Sequence, residues 1–351
     1  MNQSTMKAVV YHGPKHISLD DVPIPQMIER DDAIVKVTTS TICGTDIHIQ
    51  AGGLTDMKPG TIIGHEFCGE IVELGPRVHG FEVGDRVAVS CVTQCGVCYY
   101  CVRQEYSHCV SGSWIFGYQI DGCQAEYVRV PHATLGMHKI PEGLTDEDLL
   151  FVGDILSTGY FGAERGRIRP GDSVVVVGSG PVGMCAMASA RLWGPSQIIA
   201  VDTNAHRLEV CKAQGLADLT LNPADTNVQK IRDWTDGRGA DVAIEAVGAE
   251  PTLSLALDIV RPGGNVSVIG VFTRPIVVKM QDYWIKNINI SMGLVQANHI
   301  PLLIDLIKKG KINLKFLQTH RAPLNDILQG YDVFGKKKDN CLKWIVTPYI
   351  H

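Results

Sequence analysis

The sequence predicts an α/β protein of two domains, one β-rich and barrel-like, the other a doubly wound parallel sheet. Two observations carry that expectation. Short apolar segments punctuated by Gly and Pro fill the first part of the chain, the pattern of a barrel rather than of a parallel sheet. From about Ser157 the rhythm changes to alternating strands and helices, and repeated β-α-β units imply a parallel sheet. The expected boundaries put residues 1–156 and 296–351 in the first domain and 157–295 in the second.

In chain order, residues 6–11 form an apolar strand, and residues 33–38 alternate as a half-buried strand does. Further strands are expected over 64–74 and 86–90, separated by turns at Gly75-Pro76 and Gly84-Asp85. In the second domain, 173–177 reads as a buried strand, 181–193 as a helix, 198–201 as a strand and 205–214 as a helix. Strands at 218–221, 241–246 and 265–269 continue the series, with helical segments near 228–234 and 252–260. A helix near 301–309 and a strand near 343–346 then rejoin the first domain.

Composition excludes several classes of function. The 351 residues are 45% hydrophobic and 20% charged, as in an ordinary globular enzyme. Lys and Arg number 32 against 37 Asp and Glu, a formal charge of −5, and no basic patch argues for nucleic acid. The least charged stretch, 173–190, is broken by Gly178, Gly180, Pro181 and Gly183, which suits a phosphate-binding turn better than a membrane span. Residues 1–7 lack the apolar run of a signal peptide, so a cytoplasmic protein is expected. Eleven cysteines in such a chain point to metal rather than disulfides. Cys68, Cys91, Cys123, Cys185, Cys211 and Cys341 fall outside any ligand pattern and read as buried thiols.

Three motifs carry chemistry. Cys43, His65 and Glu66 offer a thiolate, an imidazole and a carboxylate within two dozen residues, a set that suits zinc. Glu66 either ligates directly in one state or stays behind the ligands, and Asp46 is suited to fix the His65 tautomer. Thr45 and His48, beside Cys43, are groups that move protons, so the stretch suits a metal that acidifies an alcohol. Second, Cys95-x-x-Cys98-x-x-Cys101 with Cys109 places four thiols in a lobe of about residues 91–112. A closed structural zinc site fits that spacing, and an iron–sulfur cluster is its rival. Third, Gly178-Ser179-Gly180-Pro181-Val182-Gly183 lies between strand and helix, where glycines let the backbone approach a pyrophosphate. Asp202 ends the next strand, where a carboxylate bonds ribose hydroxyls and repels a 2′-phosphate, favouring NAD over NADP. Arg207 is close enough to brace the adenosine phosphate side.

With these pieces in order, the sequence resembles the zinc-dependent medium-chain alcohol dehydrogenases over essentially its whole length. The resemblance rests on C-G-T-D-I-H at 43–48, G-H-E at 64–66, G-D-R-V at 84–87, the four-cysteine lobe, S-T-G-Y at 157–160 and G-S-G-P-V-G at 178–183. It implies a GroES-like β-barrel catalytic domain and a Rossmann domain, with two zinc ions per chain and NAD. The third catalytic ligand of the family lies four residues before the threonine of S-T-G, often as cysteine; here it is Asp154. A carboxylate there is used by a secondary-alcohol branch, although members of that branch often lack the four-cysteine lobe. The resemblance further implies that Thr45 hydrogen-bonds substrate oxygen and His48 is the outer proton acceptor. By the same analogy Thr158 contacts the nicotinamide side, Val247 and Ile269 line the cofactor cleft, Lys343 lies near the pyrophosphate, and Trp114 is a pocket aromatic.

The implied activity is reversible hydride transfer between NAD(H) and a small or medium secondary alcohol or ketone. Polyol, butanediol or threonine 3-dehydrogenase activity is the alternative. Quinone reductases and non-enzymatic relatives of this fold lack the metal ligands that this chain retains. The family inference for assembly is a homotetramer, or a homodimer, with an edge strand near 288–291 pairing across a two-fold axis.

Overall fold

The computed structural model describes residues 4–54, 56–223 and 228–349. It divides into two compact units, one of residues 1–157 with 295–351 and one of residues 158–294. No described helix is long and apolar enough to cross a membrane.

The first unit is built on strand Ala33–Thr41. Phe67–Leu74 pairs antiparallel along one edge, while the other edge is shared: Tyr127–Val130 takes residues 33–36 and Lys343–Thr347 takes residues 40 and 41. Arg86–Val89 and Met137–Lys139 extend the sheet on one side, and Gln318–Pro323 extends it on the other, parallel to Lys343–Thr347. With three partners, Ala33–Thr41 is buried over nearly its whole length rather than half-buried as its alternation suggests. A separate hairpin joins Thr5–Gly13 to His16–Pro23. Apolar clusters around Val35, Phe67 and Val128 and around Ile42, Tyr331 and Trp344 form the core.

The strand expected over 64–74 begins only at Phe67. Gly64 has φ +100°, and a Cβ there would stand 2.5 Å from Gln124 Cγ. That backbone breaks the strand and leaves His65 and Glu66 in irregular chain at its head.

The second unit is a six-stranded parallel sheet in the order Leu219–Leu221, Gln197–Val201, Ser173–Val177, Ala240–Glu245, Val260–Val268, Asn289–Met292. Every residue of Ser173–Val177 is buried, as the four-valine run of a central parallel strand requires. The strand order reverses between Ser173–Val177 and Ala240–Glu245, creating the switch point at which such sheets bind ligands. The helix expected at 252–260 starts earlier, at Glu250, with Pro251 in its first turn, where a missing N–H costs nothing.

Candidate functional site

Cys43 caps the helix Gly44–Gln50 in extended backbone, and Asp46 reaches back to accept the Cys43 N–H on Oδ2 at 2.8 Å. The cap turns Asp46 inward, so its Oδ1 stands 3.3 Å from His65 Nδ1. The other ring nitrogen, Nε2, stands 3.2 Å from Asp154 Oδ2, and Cys43 Sγ lies 3.7 Å from the same oxygen. Donor atoms of Cys43, His65, Glu66 and Asp154 all fall within 4.8 Å of one another. Tetrahedral zinc, with bonds of about 2.0–2.3 Å, sets its nitrogen, oxygen and sulfur ligands roughly 3.3–3.7 Å apart. The separations of His65 and Cys43 from Asp154, 3.2 and 3.7 Å, are close to the edges of that polyhedron.

Charge supports the same fit. Burial, with Glu66 and Asp154 close by, pushes the Cys43 thiol up to about 11. Burial likewise pushes Glu66 up to about 7, against the pull of Lys343. A buried group of potential anions facing one ammonium is short of positive charge, which a divalent cation supplies. Glu66 Oε1 accepts from Lys343 Nζ at 2.6 Å, whereas Oε2 is buried with no hydrogen-bond partner among the described residues and is placed to meet a cation. Lys343 therefore needs correction. It is expected near a pyrophosphate, but its ammonium is 1% exposed and committed to Glu66 and to the Ile42 carbonyl. A buried ammonium requires such a pairing.

Cys91, which the sequence offers only as a buried thiol, donates to Asp154 Oδ1 at 3.6 Å. Its N–H bonds the Gly153 carbonyl at 2.9 Å, so the backbone sets the thiol behind the carboxylate. No spacing signals that contact across 63 residues. Trp114 stands edge-on to His65 at 5.7 Å and stacks on Tyr118 at 5.2 Å, forming an aromatic wall. Thr45 Oγ1 lies 3.9 Å from Cys43 Sγ. His48, three residues on, shares that helix face and is half-buried, which holds its pKa below the usual 6.5.

The four thiols of Cys95, Cys98, Cys101 and Cys109 also fall within 4.8 Å of one another. Cys95 and Cys101 sulfurs are 3.9 Å apart, against about 3.8 Å for the edge of a tetrahedral zinc–thiolate site. Backbone N–H groups point at the sulfurs: those of Val110 and Cys101 bring Cys98 down to about 6. Burial and the neighbouring thiols push Cys101 up to about 12. Val97, Tyr99, Val102 and Val110 are exposed, so the lobe has little core of its own and a metal would staple it.

In the second unit, the turn after Ser173–Val177 leads into helix Pro181–Ala190, with Gly180 as N-cap and Pro181 at the first position. A Cβ on Gly183 would lie 1.8 Å from the Gly178 carbonyl oxygen, and one on Gly178 would meet Val247 Cγ2 at 2.4 Å. Those two glycines serve the fold. A Cβ on Gly180 meets nothing closer than Arg207 Nη1 at 3.4 Å, so its face is open to a ligand at a helix N-terminus. Asp202 Oδ2 accepts from the Ser179 N–H at 2.7 Å and lies 4.0 Å from Arg207 Nη1, while Oδ1 accepts from Asn204 N–H at 2.8 Å. The carboxylate is thus anchored beside the turn. Val182 lies in the first turn of the same helix, and Thr158 is part-exposed in helix Ile155–Arg165. Val247 is exposed just past Ala240–Glu245, in a turn whose N–H groups, Val247 and Gly248, both donate to buried Glu245 at 2.9 Å. Ile269 follows Val260–Val268 and is buried, its side chain against Gly162.

Comparison with known proteins bears on both halves. Residues 29–142 match the alcohol dehydrogenase GroES-like domain, and residues 181–309 match the zinc-binding dehydrogenase model. An alcohol dehydrogenase of Cupriavidus necator is 39% identical, covering 98% of this chain and 99% of its own. The apo form of zinc-dependent alcohol dehydrogenase 2 from Streptococcus pneumonia superposes with a TM-score of 0.94 at 41% identity, over 99% of both chains. The alcohol dehydrogenase TADH of Thermus sp. ATN1 gives 0.90 at 36% identity, over 97% of this chain and 99% of its own.

Proposed function

This chain belongs to the zinc-dependent medium-chain alcohol dehydrogenase family, and from that premise we propose that it interconverts a small or medium secondary alcohol and its ketone with NAD(H). The observation that carries the reading is the buried Cys43–His65–Asp154 donor set, with Glu66 behind it. Cys43, His65 and Asp154 would hold a catalytic zinc, Glu66 being placed to enter or leave the set, and the four lobe cysteines would hold a structural one. Bound zinc lowers the pKa of an alcohol hydroxyl, and bound NAD accepts the hydride.

The protein groups have distinct tasks. Asp46 holds His65 in one tautomer, with Nε2 toward the ligand cluster. Thr45 accepts a hydrogen bond from the substrate hydroxyl. His48, neutral at physiological pH because burial lowers its pKa, takes the proton and passes it to solvent from its half-exposed ring. Trp114 and Tyr118 offer an apolar wall that suits the alkyl arms of a simple secondary alcohol better than a polyol. Asp202 at the end of Gln197–Val201 supports NAD over NADP, since its carboxylate repels a 2′-phosphate.

Five of the eleven cysteines stand in the two candidate metal clusters, a use of cysteine that supports a reducing, cytoplasmic setting. For assembly, strand Asn289–Met292 lies at the sheet edge, and Trp284, Ile285 and Met292 are exposed near it. That edge supports pairing with a second copy and a homotetramer built of such dimers. Light scattering should give four chains per particle, or two if only the edge pairs; a monomer removes the proposal.

Substrate and cofactor are tested together by NADH formation from 2-butanol, with NAD and NADP in parallel. Turnover with NAD alone is expected. Turnover with NADP alone overturns the cofactor choice, and turnover confined to sorbitol or threonine overturns the substrate choice.

A further inference from the structure

We propose that Gln124 and Tyr331 are positioning residues that hold the His65 imidazole for the metal through Asp46. The inference rests on the metal-site reading above.

A chain of polar contacts runs inward from helix Ile327–Gly335. Tyr331 Oη donates to Gln124 Oε1 at 2.6 Å, and Gln124 Nε2 donates to Asp46 Oδ2 at 3.0 Å. Gln124 Nε2 also reaches the Thr41 carbonyl at 3.4 Å. Asp46 Oδ2 therefore carries the amide and the Cys43 N–H, and Oδ1 is left to face His65 Nδ1 at 3.3 Å. Asp46 can only accept, so the Gln124 amide must present its nitrogen there and its oxygen elsewhere. Tyr331 supplies the hydroxyl that meets that oxygen. Without it, a buried carbonyl would be orphaned and the amide orientation weakened.

Backbone geometry places Gln124 for this task. Cys123 N–H bonds the Gly64 carbonyl and Gln124 N–H bonds the Ile63 carbonyl, each at 3.0 Å, so the segment is laddered to the loop that carries His65. The absent side chain of Gly64 leaves room for it, since a Cβ there would strike Gln124 Cγ. Gln124 is fully buried, and Tyr331 sits in an apolar cluster with Ile327, Val346 and Trp344. Burial pushes the Tyr331 pKa well above its usual value, so the hydroxyl stays a donor. Filling such a core with apolar side chains would be no less stable. A polar chain that ends on a metal ligand has a reason that packing alone lacks.

The test is zinc release from the purified full-length enzyme to a metallochromic chelator, for wild type, Tyr331→Phe, Gln124→Met and the double variant. Both substitutions preserve shape, and thermal denaturation reports folding separately. Removing a carboxylate partner of a metal-bound histidine typically costs 10–100-fold in metal affinity. One bond further out, release of one zinc equivalent should quicken about tenfold in Gln124→Met and about threefold in Tyr331→Phe. The other equivalent should be unaffected, and the double variant no faster than Gln124→Met, because the two residues act in series. Release of both equivalents at wild-type rates overturns the proposal. So does equal acceleration of both with a fallen melting temperature, which marks general loosening. A wild-type enzyme that holds only the lobe zinc overturns the metal-site reading itself, and this proposal with it.

Discussion

Asp46 closes the helix cap on Cys43 with one oxygen and faces His65 with the other, so a residue suited to local capping also faces a candidate metal ligand. Cys43, Asp46 and His65 were legible because they sit in short motifs whose chemistry is set by residue type. Lys343, Gln124 and Cys91 were not. Their partners lie 277, 78 and 63 residues away, and contacts at such separations leave no local pattern. His48 offers a pH test at this scale. Burial lowers its pKa from 6.5, so a His48 that accepts the proton must be neutral, and alcohol oxidation should fall as pH drops through the lowered value. His48→Ala should slow oxidation about tenfold or more, flatten the acid limb and be partly rescued by added imidazole. An unchanged pH–rate profile would remove His48 from the proton path.

At the scale of elements, the glycine-rich turn separates folding from binding. Gly183→Ala sets a Cβ against the Gly178 carbonyl, a backbone atom that cannot step aside, so the melting temperature should drop by several degrees. Gly180→Ala meets only the flexible end of Arg207, at 3.4 Å, and should melt like wild type while the KM for NAD rises about tenfold or more. Equal NAD affinity in Gly180→Ala would place the pyrophosphate elsewhere. Strands and helices of the parallel sheet were readable because buried runs such as Ser173–Val177, four valines after a serine, are almost wholly apolar. His16–Pro23 was missed because it is a part-exposed hairpin strand with few apolar residues. The predicted helix over 181–193 ends at Ala190; a short 3₁₀ turn, Arg191–Trp193, follows and closes on Gly194 at φ +67°, where glycine is at ease.

For the whole molecule, the change of rhythm near residue 157 announced two architectures, and the α/β class follows from it. The return of the C-terminal segment to the first unit was visible only as a late strand. Its pairing was not, because Gln318–Pro323 and Lys343–Thr347 complete a sheet whose other strands lie before residue 140. Strand register across such a distance depends on tertiary packing rather than on any local signal. On the proposed reading, the two cysteine-containing clusters would hold two zinc ions with different tasks, one structural and one for chemistry. Metal analysis of the purified protein, beside turnover of 2-butanol with NAD, separates them in one experiment. Wild type should carry two zinc ions per chain. Cys43→Ala should carry one and be inactive while keeping the fold, and Cys98→Ala should lose the other and destabilise the lobe. Two zinc ions and normal turnover in Cys43→Ala would contradict the assignment of the catalytic site.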